Sequence, residues 1–367
     1  MRIALSLLSL RPGQVGGAET YVRALVRHLP ACAAGDRLLL VLDRDLDRVI
    51  EGPGFTRIVM PYGASELVAR RTAEGYTGWR DRLSEGVLAA AAPDVTLFPQ
   101  QSVFPHRAPG AAVVTAMDVQ HVHMPDRFGP FDRTFRPRVY PRSLERAAAV
   151  IAISRFTLDA LEERCGLPRG KGVVVPLEVE PRDDGPVPPP PPELSQGEFL
   201  YCPAATWPHK GHDRLLRTYA ALRSSGAVTG PLVLTGRRTP LWTRELLPLA
   251  RKLGILGDVR HRGFVPRAEV EALLAGARAV VFPTRYEGFG LPVVEAAMAG
   301  ARVVASRLPV FDEIGLPPAN QVDFDDPAAV AGALLLPAPT RLAHEPLPWA
   351  QVARRTLEVL RRAGGAP

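Results

Sequence analysis

Short runs of Val, Ile and Leu recur along the chain, separated by stretches with an apolar residue every three or four positions. IALSLL, RLLLVLD, VTLFP, AAVVTAMD and AAVIAIS are each too short for a helix and rich enough in branched residues for buried parallel strands. Between the first two lies GGAETYVRALVRHL, a glycine loop opening into a helix. Its apolar face is Tyr21, Leu25 and Leu29, widened by Val22 and Val26. Alternating strands and helices predict a doubly wound parallel sheet.

The pattern stops at PRDDGPVPPPPPEL, residues 181–194. A run so dense in proline is neither helix nor central strand, and it favours a stiff polyproline spacer. It reads as a linker between an N-terminal domain, residues 1–180, and a second one, residues 195–338. A docking segment for a proline-recognising partner is the alternative. The alternation then resumes with strands EFLYCPA, PLVLTG, VRHRGFV, RAVVFPT and ARVVAS, and helices HDRLLRTYAALRSS, TRELLPLARKLG and RAEVEALLAGA. The last segment, residues 339–367, contains the amphipathic helix PWAQVARRTLEVLRRAG, expected to pack back toward the N-terminal domain. With the linker it forms the expected hinge of a closing motion.

Composition narrows the classes. At 367 residues the chain is comfortable as two domains, and 46% hydrophobic with 23% charged residues marks it as globular. The net charge of +7 favours anionic partners such as nucleotides, phosphates or anionic headgroups. No zinc spacing, helix-turn-helix signature or Lys/Arg block points to nucleic acid. Cys32, Cys165 and Cys202 are scattered, which fits a reducing compartment and no disulfide framework. MRIALSLLSL reads as a first strand rather than a leader, and no run reaches the ~18 apolar residues of a spanning helix. The expected location is the cytoplasm, with peripheral contact at the inner membrane face.

RYEGFGLPVVEAAMAG, residues 285–300, sets Glu287 before an apolar run and Glu295 inside it. RAVVFPT ends as a strand, YEGFG turns, and Pro292 and Gly300 suit the start and stop of a helix of about VVEAAMA. This places Glu295 in the first helical turn. Gly288 and Gly290 let backbone N–H groups approach a ligand at a strand's carboxyl end, where a helix N-terminus attracts anions and hydroxyl oxygens. Two carboxylates there suit the hydroxyls of sugar and ribose. The plain alternative is a strand–loop–helix unit in which Glu295 only favours the helix dipole.

EGFGLPVVEAAMAG resembles the E-x7-E signature of the family-4 retaining glycosyltransferases of GT-B fold, also called glycosyl transferases group 1. GGAETYVRALVRHL is similar to that family's G-G-x-E opening, and TWPHKGHDRLL, with Lys210, to its phosphate-binding lysine loop. AVIAISRFTLDAL, HRGFV and AGARAVVFPT fall in family order, so the likeness spans about residues 1–335. W-P-H-K resembles a mannosyltransferase-like branch. The resemblance implies two doubly wound Rossmann-like α/β domains facing across a cleft. It implies a nucleotide-diphosphate sugar, GDP- or UDP-linked, as donor, with no cofactor and no metal ion. The second domain would hold the donor. Glu287 and the backbone at Gly288, Phe289, Gly290 and Leu291 would bind the sugar, Glu295 the ribose and Lys210 the diphosphate. Gly236 and Phe264 belong to the same donor site, and Gly16 and Gly17 approach from the first domain. The sugar, a hexose and on the W-P-H-K likeness a mannose, would pass with retained configuration to a saccharide, lipid-linked or small-molecule acceptor, as in polysaccharide biosynthesis.

Two departures matter. The family's Gly-Arg pair upstream of the lysine is Ala204–Ala205 here, so one diphosphate cation is absent or comes from elsewhere. The family's T-x-H-D reads TAMD, with Met117 in the histidine position and Asp118 after it. Met cannot donate a hydrogen bond; His121 or His123 would have to fill the role. Asp118 and His121 thus join Lys210 and Glu287 as candidate catalytic residues. A non-catalytic nucleotide- or sugar-binding protein of the same fold stays open. A nucleotide-dependent oxidoreductase is disfavoured, because RPGQVGGAET lacks G-x-G-x-x-G. His209 and His212 flank Lys210; a capping or solvent role is the plain reading of both and the expected one for His212. H-x-H at His121 and His123, with His106 and Asp118, is too sparse for zinc. Residues 124–149 interleave Arg with Phe and Tyr; inward packing, an acceptor or membrane surface, and base stacking all fit. ASELVARRTAEGYTGWRDRLSEG reads as a further basic helix with a solvated face.

Overall fold

The computed structural model describes residues 1–13, 16–179, 187–194, 197–343 and 347–365. The chain divides into two compact units, Met1–Glu180 with Pro346–Pro367, and Pro181–Glu345. The first holds seven parallel strands: β1 (Arg2–Ser6), β2 (Arg37–Leu42), β3 (Thr56–Val59), β4 (Val95–Phe98), β5 (Ala111–Ala116), β6 (Ala149–Ala152) and β7 (Gly172–Val174). They lie in the order β3-β2-β1-β4-β5-β6-β7. The second holds six: β8 (Leu200–Pro203), β9 (Leu232–Thr235), β10 (Val259–Gly263), β11 (Ala279–Phe282), β12 (Val303–Ser306) and β13 (Gln321–Val322), ordered β10-β9-β8-β11-β12-β13. Both are Rossmann-like doubly wound sheets. The apolar runs form their centres because every residue of β4, β9, β11 and β12 is buried.

The helix after the glycine loop spans Gly17–Cys32 and buries Tyr21, Val22, Leu25, Val26 and Leu29. The C-terminal helix, Trp349–Ala363, packs in the same unit. The Trp349 ring lies 6.3 Å from that of Tyr21, and Arg361 pairs with Asp36 at 2.7 Å. Residues 181–186 of the proline-rich segment lie outside the described residues. The following residues lie against the second unit: Pro190 meets Gly276, and Arg262 pairs with Glu193.

The basic segment expected as one helix is two, Ala64–Thr77 and Arg82–Ala91. Gly78 ends the first in the left-handed conformation, and the Asp81 carboxylate caps the second by accepting the Ser84 N–H. In residues 124–149 both inward and outward aromatics occur. Phe135 is buried on helix Pro130–Arg146, while Phe131, stacked on it at 5.1 Å, is exposed.

Candidate active site

In the second domain β8 lies between β9 and β11, so the sheet's connections reverse direction there and leave a crevice beyond the strand ends. The loop leaving β8 carries Lys210, and the loop leaving β11 carries Glu287. Polar contacts zip the two loops together. The His209 carbonyl accepts the Arg285 N–H at 2.7 Å and the Thr284 hydroxyl at 3.1 Å. The Arg285 guanidinium grips both Asp213 oxygens at 2.8 Å, the planar bidentate geometry that fixes orientation. Gly211 makes the approach possible. Its φ is +71°, and a Cβ there would stand 2.1 Å from the Pro283 carbonyl oxygen.

The outcome is a close ion pair. Lys210 Nζ donates to Glu287 Oε1 at 2.7 Å and Oε2 at 3.0 Å, with the side chains 18% and 14% exposed. An ammonium has three protons, so one remains for an incoming oxygen. Gly290, at φ +100°, presses against the Phe311 ring and opens helix Leu291–Met298, with Pro292 in its first turn. Free N–H groups at that start add positive potential. The Phe289 ring is buried, so only its backbone can serve a ligand.

The helix begins two residues before the expected VVEAAMA, because Gly290 rather than Leu291 or Pro292 makes the turn. Glu295 therefore falls in the second turn, not the first, and is no partner for the helix dipole. Its Oε1 accepts from Arg267 Nη1 at 3.0 Å, and Arg267 also holds Glu271 at 2.9 Å. The pairs Arg267–Glu295 and Arg285–Asp213 have no local sequence signal, since each joins residues far apart in the chain.

Gly236 ends β9, its N–H bonded to the Gly263 carbonyl at 2.7 Å, beside Ala204 and Ala205. Arg237 follows, and its carbonyl accepts the Thr206 N–H at 3.0 Å. Arg237 and Arg238 are thus cations on the loop leaving β9, beside the alanine pair. Phe264, just past β10, is 89% exposed, an open flat face. Burial, then the charges of Lys210 and His212, push the His209 imidazole down to about 3, so it is neutral. His212 is neither a cap nor solvated: it is 2% exposed, because the helix His212–Ser224 turns it into the domain.

In the first domain, Gly16 precedes the helix beginning at Gly17. Glu19 folds this loop by accepting the Gly13 N–H at 2.7 Å, a physical reason for an acid in G-G-x-E. Asp118 accepts the Gln120 N–H at 3.0 Å and ends β5 in a turn. The His121 ring stands edge-on to Tyr140 at 5.0 Å, and burial, helped by Arg136 and His123, lowers it to about 4. It lines a cavity of about 310 Å³ with Tyr140 and Leu161. Among the described residues no group of three or more His, Cys, Asp or Glu is placed to hold a metal ion, and no helix is long and apolar enough to cross a membrane.

Two doubly wound domains with these strand orders make this a GT-B-fold protein. Residues 15–182 match the family Glycosyltransferase Family 4, and residues 197–336 match Glycosyl transferases group 1. The chain is 29% identical over 240 residues to O-antigen chain mannosyltransferase B of Escherichia coli, a match covering 63% of this chain and 62% of that one. It is 32% identical over 184 residues to the MMP alpha-(1->4)-mannosyltransferase of Mycolicibacterium hassiacum, covering 46% of this chain and 44% of that one. The matches thus span between 44% and 62% of those relatives' lengths. Anabaena Alr3699/HepE, solved with UDP and glucose, superposes with a TM-score of 0.65 at 17% identity, covering 99% of this chain and 100% of that one. The chain is therefore related to the family-1 and family-4 glycosyltransferases and homologous to mannosyltransferases.

Proposed function

We propose that the protein is a retaining, metal-independent glycosyltransferase that moves a hexose, mannose first among the candidates, from a GDP- or UDP-linked donor. The acceptor is a saccharide, a lipid-linked saccharide or a small molecule. The Lys210–Glu287 pair at the ends of β8 and β11 carries this reading. When the sugar–phosphate bond breaks, the departing diphosphate gains negative charge, and a fixed ammonium with one unused donor lowers that barrier. Glu287 keeps acceptor capacity for sugar hydroxyls while it positions Lys210. In the transfer the anomeric carbon–phosphate oxygen bond breaks as the acceptor oxygen bonds to the same carbon from the same face. The acceptor proton leaves on the departing diphosphate. Phe264 offers a face for the base and Glu295 a carboxylate for the ribose. Within this reading the enzyme works in the cytoplasm, with peripheral contact at the inner membrane face where the acceptor is lipid-linked.

A nucleotide- or sugar-binding protein of impaired catalysis is the competing reading. It draws on Met117 and Ala205, and on the burial of the neutral His121 ring against Tyr140. A thermal-shift screen with UDP, GDP, dTDP, ADP and their common sugars, without and with magnesium, tests the first part. The expected result is a rise with one nucleotide family, equal in both conditions. No rise with any nucleotide contradicts a donor site. Turnover of the stabilising nucleotide sugar, with the product's anomeric configuration read by NMR, separates the two readings.

A further inference from the structure

In the first domain a cavity of about 130 Å³ opens between helix Ala64–Thr77, the loop leaving β4, and helix Pro130–Arg146. A space of ~150 Å³ holds one benzene-sized ring, so this cavity suits a single ring or charged group. Its chemistry is set by Arg71. Among the described residues the Arg71 guanidinium makes one hydrogen bond, Nη2 to Ser102 Oγ at 2.8 Å, and no ion pair. The remaining N–H donors of its five have no acceptor among the described residues. Burial lowers its pKa to about 10, which still leaves it charged at neutral pH.

The neighbouring arginine shows how this protein treats a structural guanidinium. Arg70 is held by Glu66 at 2.6 Å and Asp81 at 2.9 Å. Arg71, one residue on, is half-buried with no such partner, and a desolvated charge without one costs stability. Glu74, the acid of the same cavity, acts on Arg71 through its charge but forms no ion pair or hydrogen bond with it among the described residues. Both Glu74 oxygens accept the His106 N–H, at 3.0 and 3.1 Å, and burial raises this carboxyl to about 7. Arg107 and Arg142 stand on the wall, exposed and without ion pairs among the described residues. After burial, the charges of Arg146, Arg142 and Arg107 keep His106 below its ordinary range, against the opposing charge of Glu145. Trp79, 45% exposed, adds an aromatic face.

We propose that this cavity binds an anionic saccharide, a sugar ring bearing phosphate or carboxylate, with Arg71 anchoring the anion and Arg107 and Arg142 flanking it. Trp79 lies against the ring, and Glu74 accepts a hydroxyl. That such a ligand is the acceptor of transfer rests on the reading under Proposed function; the binding does not. The loop leaving β4 is also where this sheet's connections reverse, the counterpart of the crevice at Lys210.

Calorimetric titration of the full chain tests it, with mannose 6-phosphate, glucuronic acid, mannose and inorganic phosphate as probes. One anionic sugar is expected to bind at least about tenfold more tightly than mannose and than inorganic phosphate, and the tighter of the two names the charged group. Arg71→Gln is expected to weaken it by about tenfold or more and Arg142→Gln by about threefold, with Lys210→Gln unchanged. Arg142 is exposed, so its variant reports even if Arg71→Gln fails to fold. Equal affinity for mannose and the anionic sugars overturns the proposal, as does no binding with Kd below about 10 mM. Inorganic phosphate binding as tightly as the sugar phosphate overturns the saccharide. Loss in Lys210→Gln instead of the arginine variants moves the anion to the other domain and overturns the site. Failure of nucleotide binding alone sinks the donor reading and leaves this one standing.

Discussion

Counted from its own first strand, each domain runs 3-2-1-4-5-6, the first adding a seventh strand at its edge, yet the two handle charge at the strand ends in opposite ways. In the second domain three ion pairs lock the site: Lys210 with Glu287, Arg285 with Asp213, Arg267 with Glu295. In the first, Arg71 meets one neutral hydroxyl, and Glu74 is held by a backbone N–H. Paired charges hold a geometry before a ligand arrives. An unpaired guanidinium gains most of its compensation from the ligand itself. The same strand order thus carries a preorganised site in one domain and a ligand-dependent one in the other.

The sharpest way to break this contrast is Lys210→Gln. Removing the one ammonium aimed at the leaving diphosphate should lower kcat by roughly 10²–10³-fold with the true donor. A loss confined to KM would mean Lys210 only binds. Gly211→Ala comes next. Its Cβ would collide with the Pro283 carbonyl at a φ that disfavours side chains, a cost of about 2–4 kcal/mol. The melting temperature should fall by roughly 5–15 °C, and an unchanged value would show that the two loops are not held in contact. Arg285→Ala and Asp213→Ala should each raise the donor KM by about three- to tenfold with little change in kcat. The double variant should be no worse than either single one; additive losses would separate the clamp into unrelated contacts.

The smallest effect belongs to Glu74. Burial raises its folded pKa to about 7, above its ordinary value of 4.5, so between these pH values the folded state binds more protons than the unfolded. Its contribution to stability is therefore full below about pH 4.5 and is lost as pH rises through 7. Glu74→Gln should be more stable than the parent at pH 8 and gain nothing at pH 4.5, by thermal melts at both. A variant equally shifted at both pH values would place the carboxylate in ordinary solvent.

Much of this was legible along the chain because it is local. Apolar runs marked the central strands, and GGAE, PHKG and EGFG marked loops at strand ends. Of the four edge strands only β10 was legible, as VRHRGFV. TRIV, GVV and QV are short, partly polar or partly exposed, and pair along one side only. The break at Gly78 was readable in principle, since a glycine with Asp three residues on is a stop and a cap, yet the basic pattern runs across it. The Arg285–Asp213 and Arg267–Glu295 pairs join residues 72 and 28 positions apart, so only the fold brings them together. Arg71 differs from Arg70 in nothing but the face of the helix it occupies.

The most direct test is a calorimetric titration of UDP and GDP into the parent chain, Lys210→Gln and Arg71→Gln. One nucleotide should bind the parent, bind Lys210→Gln at least about tenfold more weakly, and bind Arg71→Gln unchanged. Undiminished binding by Lys210→Gln, or its loss in Arg71→Gln, would contradict the assignment of the donor to the second domain.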